Sequence, residues 1–169
     1  MDPSLRLLFT LLPEIVIVGV ATFMFIGSAF GRKESNWTYV GLFGLAMAGL
    51  ILGFVSWPSM TERQLAGVGS PFTSGPVVLD AFSLTTRILA VFSGFVLVCA
   101  GTLGGGKRLS GEYIGCLLMA TAGVMLTSAS LDIVLLFLGL ELISIPTYVL
   151  LFLGSRGEES ARRAGEATI

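Results

Sequence analysis

Apolar residues form five long runs along this chain, separated by shorter segments rich in glycine, serine and charged residues. The runs cover approximately residues 11–30, 37–57, 79–101, 113–130 and 132–153, and the longest polar loop covers 58–78. A helix of about 20 residues, at about 1.5 Å per residue, crosses the hydrocarbon core of a bilayer. The pattern therefore predicts an all-α membrane protein with about five transmembrane helices, forming a single membrane domain over residues 1–169.

The first apolar run has a second interpretation, as the hydrophobic region of a secretory signal peptide. Such a region holds about 7–15 apolar residues and follows a basic cluster. Here the apolar run is about 20 residues long, enough for a span, and Arg6 is the only base before it. These features favour a membrane span.

The composition agrees with a membrane protein and narrows the possible chemistry. Hydrophobic residues make up 54% of the chain and charged residues 12%, whereas a soluble domain carries about 25% charged residues. Ten basic and eleven acidic residues give no net field that would attract a nucleic acid. The chain has no histidine, and Cys99 and Cys116 lie in apolar runs, so we predict neither a metal site nor a disulfide. Because no nucleophile stands beside a base, we name no catalytic residue.

A glycine-rich loop after the third run partly matches a phosphate-binding loop. Gly101-Thr-Leu-Gly-Gly-Gly106-Lys107 fits the spacing Gly-x4-Gly-Lys. The next residue is Arg108, where that motif needs Ser or Thr to hold magnesium, and a membrane span precedes the loop in place of a strand. We therefore interpret it as a flexible, positively charged loop.

The basic residues predict the orientation of the chain. With five spans, alternate loops lie on the same side of the membrane, and basic residues mark the cytoplasmic side. One side receives Arg6 and Arg63. The other receives seven bases, namely Arg32, Lys33, Lys107, Arg108, Arg156, Arg162 and Arg163. The N-terminus is therefore expected outside the cytoplasm, and the polar tail 154–169 inside it.

Glu141 lies near the middle of the fifth apolar run, where a charge is costly. A carboxylate at that depth costs about 2.5–3.5 kcal/mol on insertion scales. We therefore expect Glu141 to face protein or trapped water, beside a cationic or hydrogen-bonding partner. A carboxyl balanced between desolvation and such a partner can exchange a proton near neutral pH. The alternative is a glutamate that only hydrogen-bonds a neighbouring helix.

Three further residues are predicted to have structural roles. Pro146 has no N–H, so the carbonyl of Leu142 loses its helical partner, and we expect the helix to bend there. Arg87 lies about two turns inside the third span, where we expect it to snorkel to the interface or to pair with Asp80.

The fifth run also carries a recognisable pattern, which reads Asp132-Ile-Val-Leu-Leu-Phe-Leu-Gly-Leu-Glu141-Leu-Ile-Ser-Ile-Pro146-Thr-Tyr148-Val-Leu. This sequence resembles the fifth membrane helix of subunit N of the proton-pumping NADH-quinone oxidoreductases (respiratory complex I), whose mitochondrial counterpart is subunit 2. Shorter matches to the same family are Leu12-Pro13-Glu14, Asp80-Ala-Phe-Ser83 and Glu166-Ala-Thr-Ile169.

The resemblance implies an antiporter-like subunit whose core is two inverted repeats of five helices. Glu141 corresponds to the family's essential glutamate, which pairs with a lysine on the seventh helix, and we place Asp132 and Glu166 on the same proton-translocation route. The resemblance also implies no cofactor on this chain, because flavin and iron–sulfur clusters belong to partner subunits. The implied partners are the other membrane subunits of complex I, the lipid bilayer and, through the complex, quinone.

The chain ends before the family's lysine partner and broken helices, so we expect it to be an N-terminal fragment of a longer subunit. The resulting hypothesis is a proton-translocating membrane subunit that couples quinone reduction to proton pumping. Two alternatives remain at this point. One is a cation/proton antiporter or membrane-hydrogenase subunit of the same superfamily, and the other is a purely structural membrane scaffold.

Overall fold

The computed structural model describes residues 3–30, 37–66, 72–74, 76–103 and 110–166, with side chains described for 7–30, 37–54, 76–78, 80–102 and 110–153. These residues form five helices and one small β-hairpin. In chain order they are α1 (Pro3–Ala29), α2 (Trp37–Ala66), β1 (Phe72–Ser74), β2 (Val77–Leu79), α3 (Ala81–Leu103), α4 (Gly111–Ala129) and α5 (Ile133–Glu166).

Each helix contains a stretch long and apolar enough to cross a membrane. By length and composition these stretches are Leu7–Ala29, Trp37–Phe54, Ala81–Thr102, Gly111–Ala129 and Ile133–Leu153. The prediction of an all-α membrane protein with five spanning helices is therefore confirmed.

The helices extend further than the apolar runs that predicted them. Helix α1 begins at Pro3, ahead of the apolar run, and Pro13 lies inside it. Helix α2 continues to Ala66, so the first part of the predicted loop 58–78 is helical. Helix α5 continues to Glu166 and includes most of the polar tail. Hydropathy marks only the part of a helix that lies in lipid, whereas Glu, Gln and Arg extend a helix readily in water.

Helix α4 is the centre of the bundle. It packs against α1, α2, α3 and α5. Its buried residues surround the helix axis and include Ile114, Gly115, Cys116, Leu118, Thr121, Ala122, Gly123 and Met125. Helix α1, in contrast, buries one stripe at the three- and four-residue spacing of a helix that has one packed face, formed by Thr10, Glu14, Ile17, Ala21 and Met24.

Glycines bring α4 and α5 into close contact. A Cβ atom added at Gly123 would lie 2.8 Å from the carbonyl oxygen of Gly139, and one added at Gly139 would collide with the Thr127 hydroxyl. Small residues allow membrane helices to approach closely, where van der Waals packing holds them together. This crossing fixes the position of α5 only two residues before Glu141.

The β-hairpin joins the start of α3 to the junction between α4 and α5. Strands β1 and β2 pair antiparallel, and Val77 also forms a bridge with Ser130. The backbone N–H of Leu131 donates to the carbonyl oxygen of Pro76 over 2.8 Å. Both α3 and α5 therefore start at the same end of the bundle, at positions fixed by backbone hydrogen bonds.

The glycine crossing predicts that Gly123→Ala is destabilising and Gly19→Ala is not. The new methyl group at position 123 would meet the backbone of α5, whereas a Cβ at Gly19 has no atom within 4 Å. Overpacking costs about 1–3 kcal/mol, while alanine is about 1 kcal/mol better than glycine inside a helix. Thermal unfolding in detergent should show a lower midpoint for Gly123→Ala only. Equal midpoints for the two variants would contradict the close contact.

Candidate functional site

Glu141 lines an apolar groove between α1, α4 and α5. The groove has a volume of about 280 Å³. Phe25 of α1 and Cys116 and Met119 of α4 form one side, and α5 contributes Leu138, Glu141, Leu142, Ile145, Pro146 and Val149. Glu141 supplies the one carboxylate among these lining residues. At helical rise it lies about 12 Å beyond Ile133, which places it well inside the spanning stretch.

The carboxylate of Glu141 is half-buried and has no partner in the described part of the chain. Neither a hydrogen bond nor an ion pair joins its side chain to a described residue. Its backbone carbonyl accepts a long hydrogen bond of 3.4 Å from the Ser144 hydroxyl. The groove thus presents a single acidic group against apolar walls, where a cation or water would interact strongly with it.

Pro146 lies beside Glu141 in the same groove. It is buried, and α5 runs through it from Ile133 to Glu166. The missing N–H leaves the carbonyl of Leu142 without its usual helical donor, and Leu142 also lines the groove. The sequence-predicted pair of Glu141 and Pro146 is therefore brought together in one place.

Arg87 and Glu14 form a buried ion pair between α3 and α1. Arg87 Nε donates to Glu14 Oε1 over 2.7 Å, and Arg87 Nη2 donates to the same oxygen. Nη2 also donates to the carbonyl oxygen of Thr10 over 2.7 Å. The side chains of Arg87 and Glu14 are only 1% and 6% exposed. The prediction that Arg87 snorkels or pairs with Asp80 was therefore wrong.

Asp80 caps helix α3 instead. Its Oδ1 accepts a hydrogen bond of 2.7 Å from the backbone N–H of Ser83, three residues along. The first N–H groups of a helix lack partners within the helix, and a short acidic side chain at the cap satisfies one of them. Asp80 thus keeps a structural role, through a different partner.

Sequence reasoning did not identify Glu14 as the partner of Arg87. The first span was expected to start at residue 11, which placed Glu14 near a helix end beside Pro13. Because α1 begins at Pro3, Glu14 lies seven residues inside the stretch Leu7–Ala29, and Arg87 lies six inside Ala81–Thr102. Both helices begin at the same end of the bundle. An acidic and a basic residue at similar depths in these two spans would therefore have indicated the ion pair.

The remaining predicted site residues lie apart from the groove. Asp132 is exposed at the start of α5, where its Oδ1 accepts from the backbone N–H of Val134 over 3.3 Å. The side chain of Glu166 lies outside the described residues. Within the described part of the chain, no group of three or more histidine, cysteine, aspartate or glutamate residues could hold a metal ion.

Comparison with known proteins finds curated relatives named NADH-quinone oxidoreductase subunit N. No family model matches the sequence. NADH-quinone oxidoreductase subunit N of Bacillus anthracis is 28% identical over 157 residues, which cover 91% of this chain and 29% of the relative. The subunit N of Anoxybacillus flavithermus is 31% identical over 144 residues, which cover 83% of this chain and 27% of the relative. The chain therefore spans under a third of the length of these relatives.

A solved structure shares the same fold. A chain of respiratory complex I from Thermus thermophilus, with bound aureothin, superimposes with a TM-score of 0.58. The match covers 82% of this chain and 28% of that chain, at 22% identity. The matched part of this chain therefore has the same fold as part of that chain.

The buried ion pair predicts that removing one of its two charges destabilises the fold more than removing both. Arg87→Met leaves the Glu14 carboxylate uncompensated inside the bundle, which costs about 3–5 kcal/mol. The double variant Arg87→Met with Glu14→Leu has no buried charge and should recover part of that loss. Denaturant unfolding of the single and double variants measures the difference. A double variant less stable than either single variant would contradict the ion pair.

Proposed function

Because this chain is homologous to NADH-quinone oxidoreductase subunit N over most of its length, we propose that it is part of a proton-translocating membrane subunit of such an enzyme. It would couple quinone reduction, carried out in other subunits, to proton movement across the membrane. Flavin and iron–sulfur clusters would lie in those partner subunits, with no redox centre on this chain. The neighbouring partners would be the other membrane subunits of the complex.

The observation that carries this proposal is the position of Glu141. A carboxylate inside a spanning stretch, half-buried in an apolar groove, is costly to keep charged. A protein that keeps such a group can use its change of charge. Glu141 has no partner among the described residues, so it is available to a cation from outside them.

Proton transfer would then proceed through gain and loss of one proton at Glu141. A cation close to the carboxylate favours its charged form, and withdrawal of that cation favours the protonated form. Such a partner could enter through the open side of the groove. Near Glu141, the carbonyl of Leu142 lacks its helical donor because Pro146 has no N–H, so this carbonyl can bind a water molecule. Asp132 and Glu166 would lie further along the same route, towards the two faces of the membrane.

The proposed role predicts that Glu141→Gln stops proton pumping while the protein still assembles. Glutamine keeps the shape of the side chain but cannot exchange a proton under these conditions. In the complete subunit within its complex, proton uptake into vesicles driven by NADH oxidation should fall to a small fraction of the wild-type rate. The amount of assembled complex should stay near the wild-type level.

Glu112→Gln is a matched control for this substitution. Glu112 is exposed at the start of α4, where its Oε1 accepts from the Ser28 hydroxyl over 3.3 Å. This variant should pump at the wild-type rate. Normal pumping by Glu141→Gln would reject the relay role, and loss of assembly with normal pumping per complex would favour the scaffold alternative.

The charge pattern also predicts the orientation of the chain. Single cysteines at Lys107 and Arg63, introduced after replacement of Cys99 and Cys116, should react with a membrane-impermeant thiol reagent from opposite sides. The cysteine at position 107 should react from the cytoplasmic side, because basic loops are retained there. Labelling of both positions from one side would show that the predicted orientation is wrong.

A further inference from the structure

Two buried polar atoms, one on Glu14 of the ion pair and one on α3 four residues before Arg87, have no hydrogen-bond partner within the described residues. They are Glu14 Oε2 and the hydroxyl oxygen of Ser83. Glu14 is 5% exposed and Ser83 is fully buried. Buried polar atoms in folded proteins are nearly always satisfied, by protein groups or by ordered water. Each of these two atoms therefore calls for a bonding partner.

The geometry of the ion pair leaves one carboxylate oxygen open. Arg87 directs both Nε and Nη2 at Glu14 Oε1. A bidentate arginine–carboxylate pair would use one nitrogen for each oxygen. Because a single oxygen receives both donors, the lone pairs of Oε2 remain available to a further donor.

The hydroxyl of Ser83 differs from its neighbours on the same helix. Thr85 and Thr86 donate to the carbonyl oxygens of Ala81 and Phe82, over 2.7 and 2.9 Å. This bond to the preceding turn is the usual way to satisfy a hydroxyl inside a helix. Ser83 does not form it in the described structure, although its hydroxyl is fully buried.

The two open atoms belong to one region of the bundle. Ser83 precedes Arg87 by four residues, so both lie on the same face of α3. Long side chains of a helix lean towards its N-terminus, which carries the Arg87 guanidinium over the turn that holds Ser83. Glu14 meets the guanidinium there, with Oε2 as its free oxygen.

We propose that Glu14 Oε2 and the Ser83 hydroxyl together bind an ordered water molecule between α1 and α3. Water can donate to a carboxylate and exchange a second hydrogen bond with a hydroxyl, as the two open atoms require. An anion would be repelled by Glu14, and a metal cation would be opposed by Arg87. An apolar group would leave both atoms unsatisfied. Buried waters of this kind usually make two to four hydrogen bonds.

The water completes the solvation of a charge pair inside the membrane. With it, both carboxylate oxygens of Glu14 accept hydrogen bonds, and neither is left unsatisfied inside the bundle. This site uses residues other than Glu141, so it does not depend on the proposed proton relay.

The direct test is a map of the complete protein in its membrane complex, at a resolution that shows ordered water. The expected result is a peak about 2.7–3.2 Å from both Glu14 Oε2 and Ser83 Oγ. A direct hydrogen bond between Ser83 and Glu14, or a well-defined region with no peak, would overturn the proposal.

A substitution at position 83 gives an independent test by the sign of its effect. If the hydroxyl holds water against the ion pair, Ser83→Ala should lower the thermal midpoint of the complex by a few degrees. If the hydroxyl is simply unsatisfied, its removal is neutral or stabilising. Ser93→Ala removes an exposed hydroxyl from the same helix and should leave the midpoint unchanged. An unchanged or raised midpoint for Ser83→Ala would overturn the proposal.

Discussion

A charge inside a bilayer must be stabilised by the protein, because hydrocarbon offers neither water nor a counter-ion. Two intramembrane carboxylates in this bundle meet that requirement differently. Glu14 is buried between α1 and α3, where it forms an ion pair with Arg87. Glu141 stands half-buried in a groove without a partner in the described residues. This difference is the reason why we propose proton exchange for the second carboxylate and not for the first.

Helix α4 packs against the helices that form these two sites. Its packing against α1 and α3 supports the ion pair on one side, and its glycine contact with α5 sets the groove on the other. Helix α5 remains mostly exposed on its outer face, where Val134, Phe137, Tyr148 and Leu151 project from the bundle. The ionisable group of the groove therefore has packed helices on one side, while much of α5 around it is exposed.

Hydropathy alone was sufficient to predict the five spans, because apolar length is imposed by the thickness of the bilayer. Glu141 was also recognisable as a candidate site residue, since a carboxylate in the middle of an apolar run is costly in the membrane. The partner of Arg87 could not be recognised from the sequence, because a contact between α1 and α3 depends on how the helices pack and on where α1 begins. The glycine crossing was likewise hidden: many glycines occur in the apolar runs, and only the structure shows that Gly123 and Gly139 meet.

The hairpin has a consequence for biogenesis. Pro76 and Val77 bond to Ser130 and Leu131, residues that leave the ribosome only after the whole of α4. These bonds cannot form until α4 has inserted into the membrane and its C-terminal end has reached the membrane face at which α3 begins. The start of α3 therefore stays without these bonds during the synthesis of α3 and α4, and the corner closes only once α4 has inserted, at the point where α5 begins.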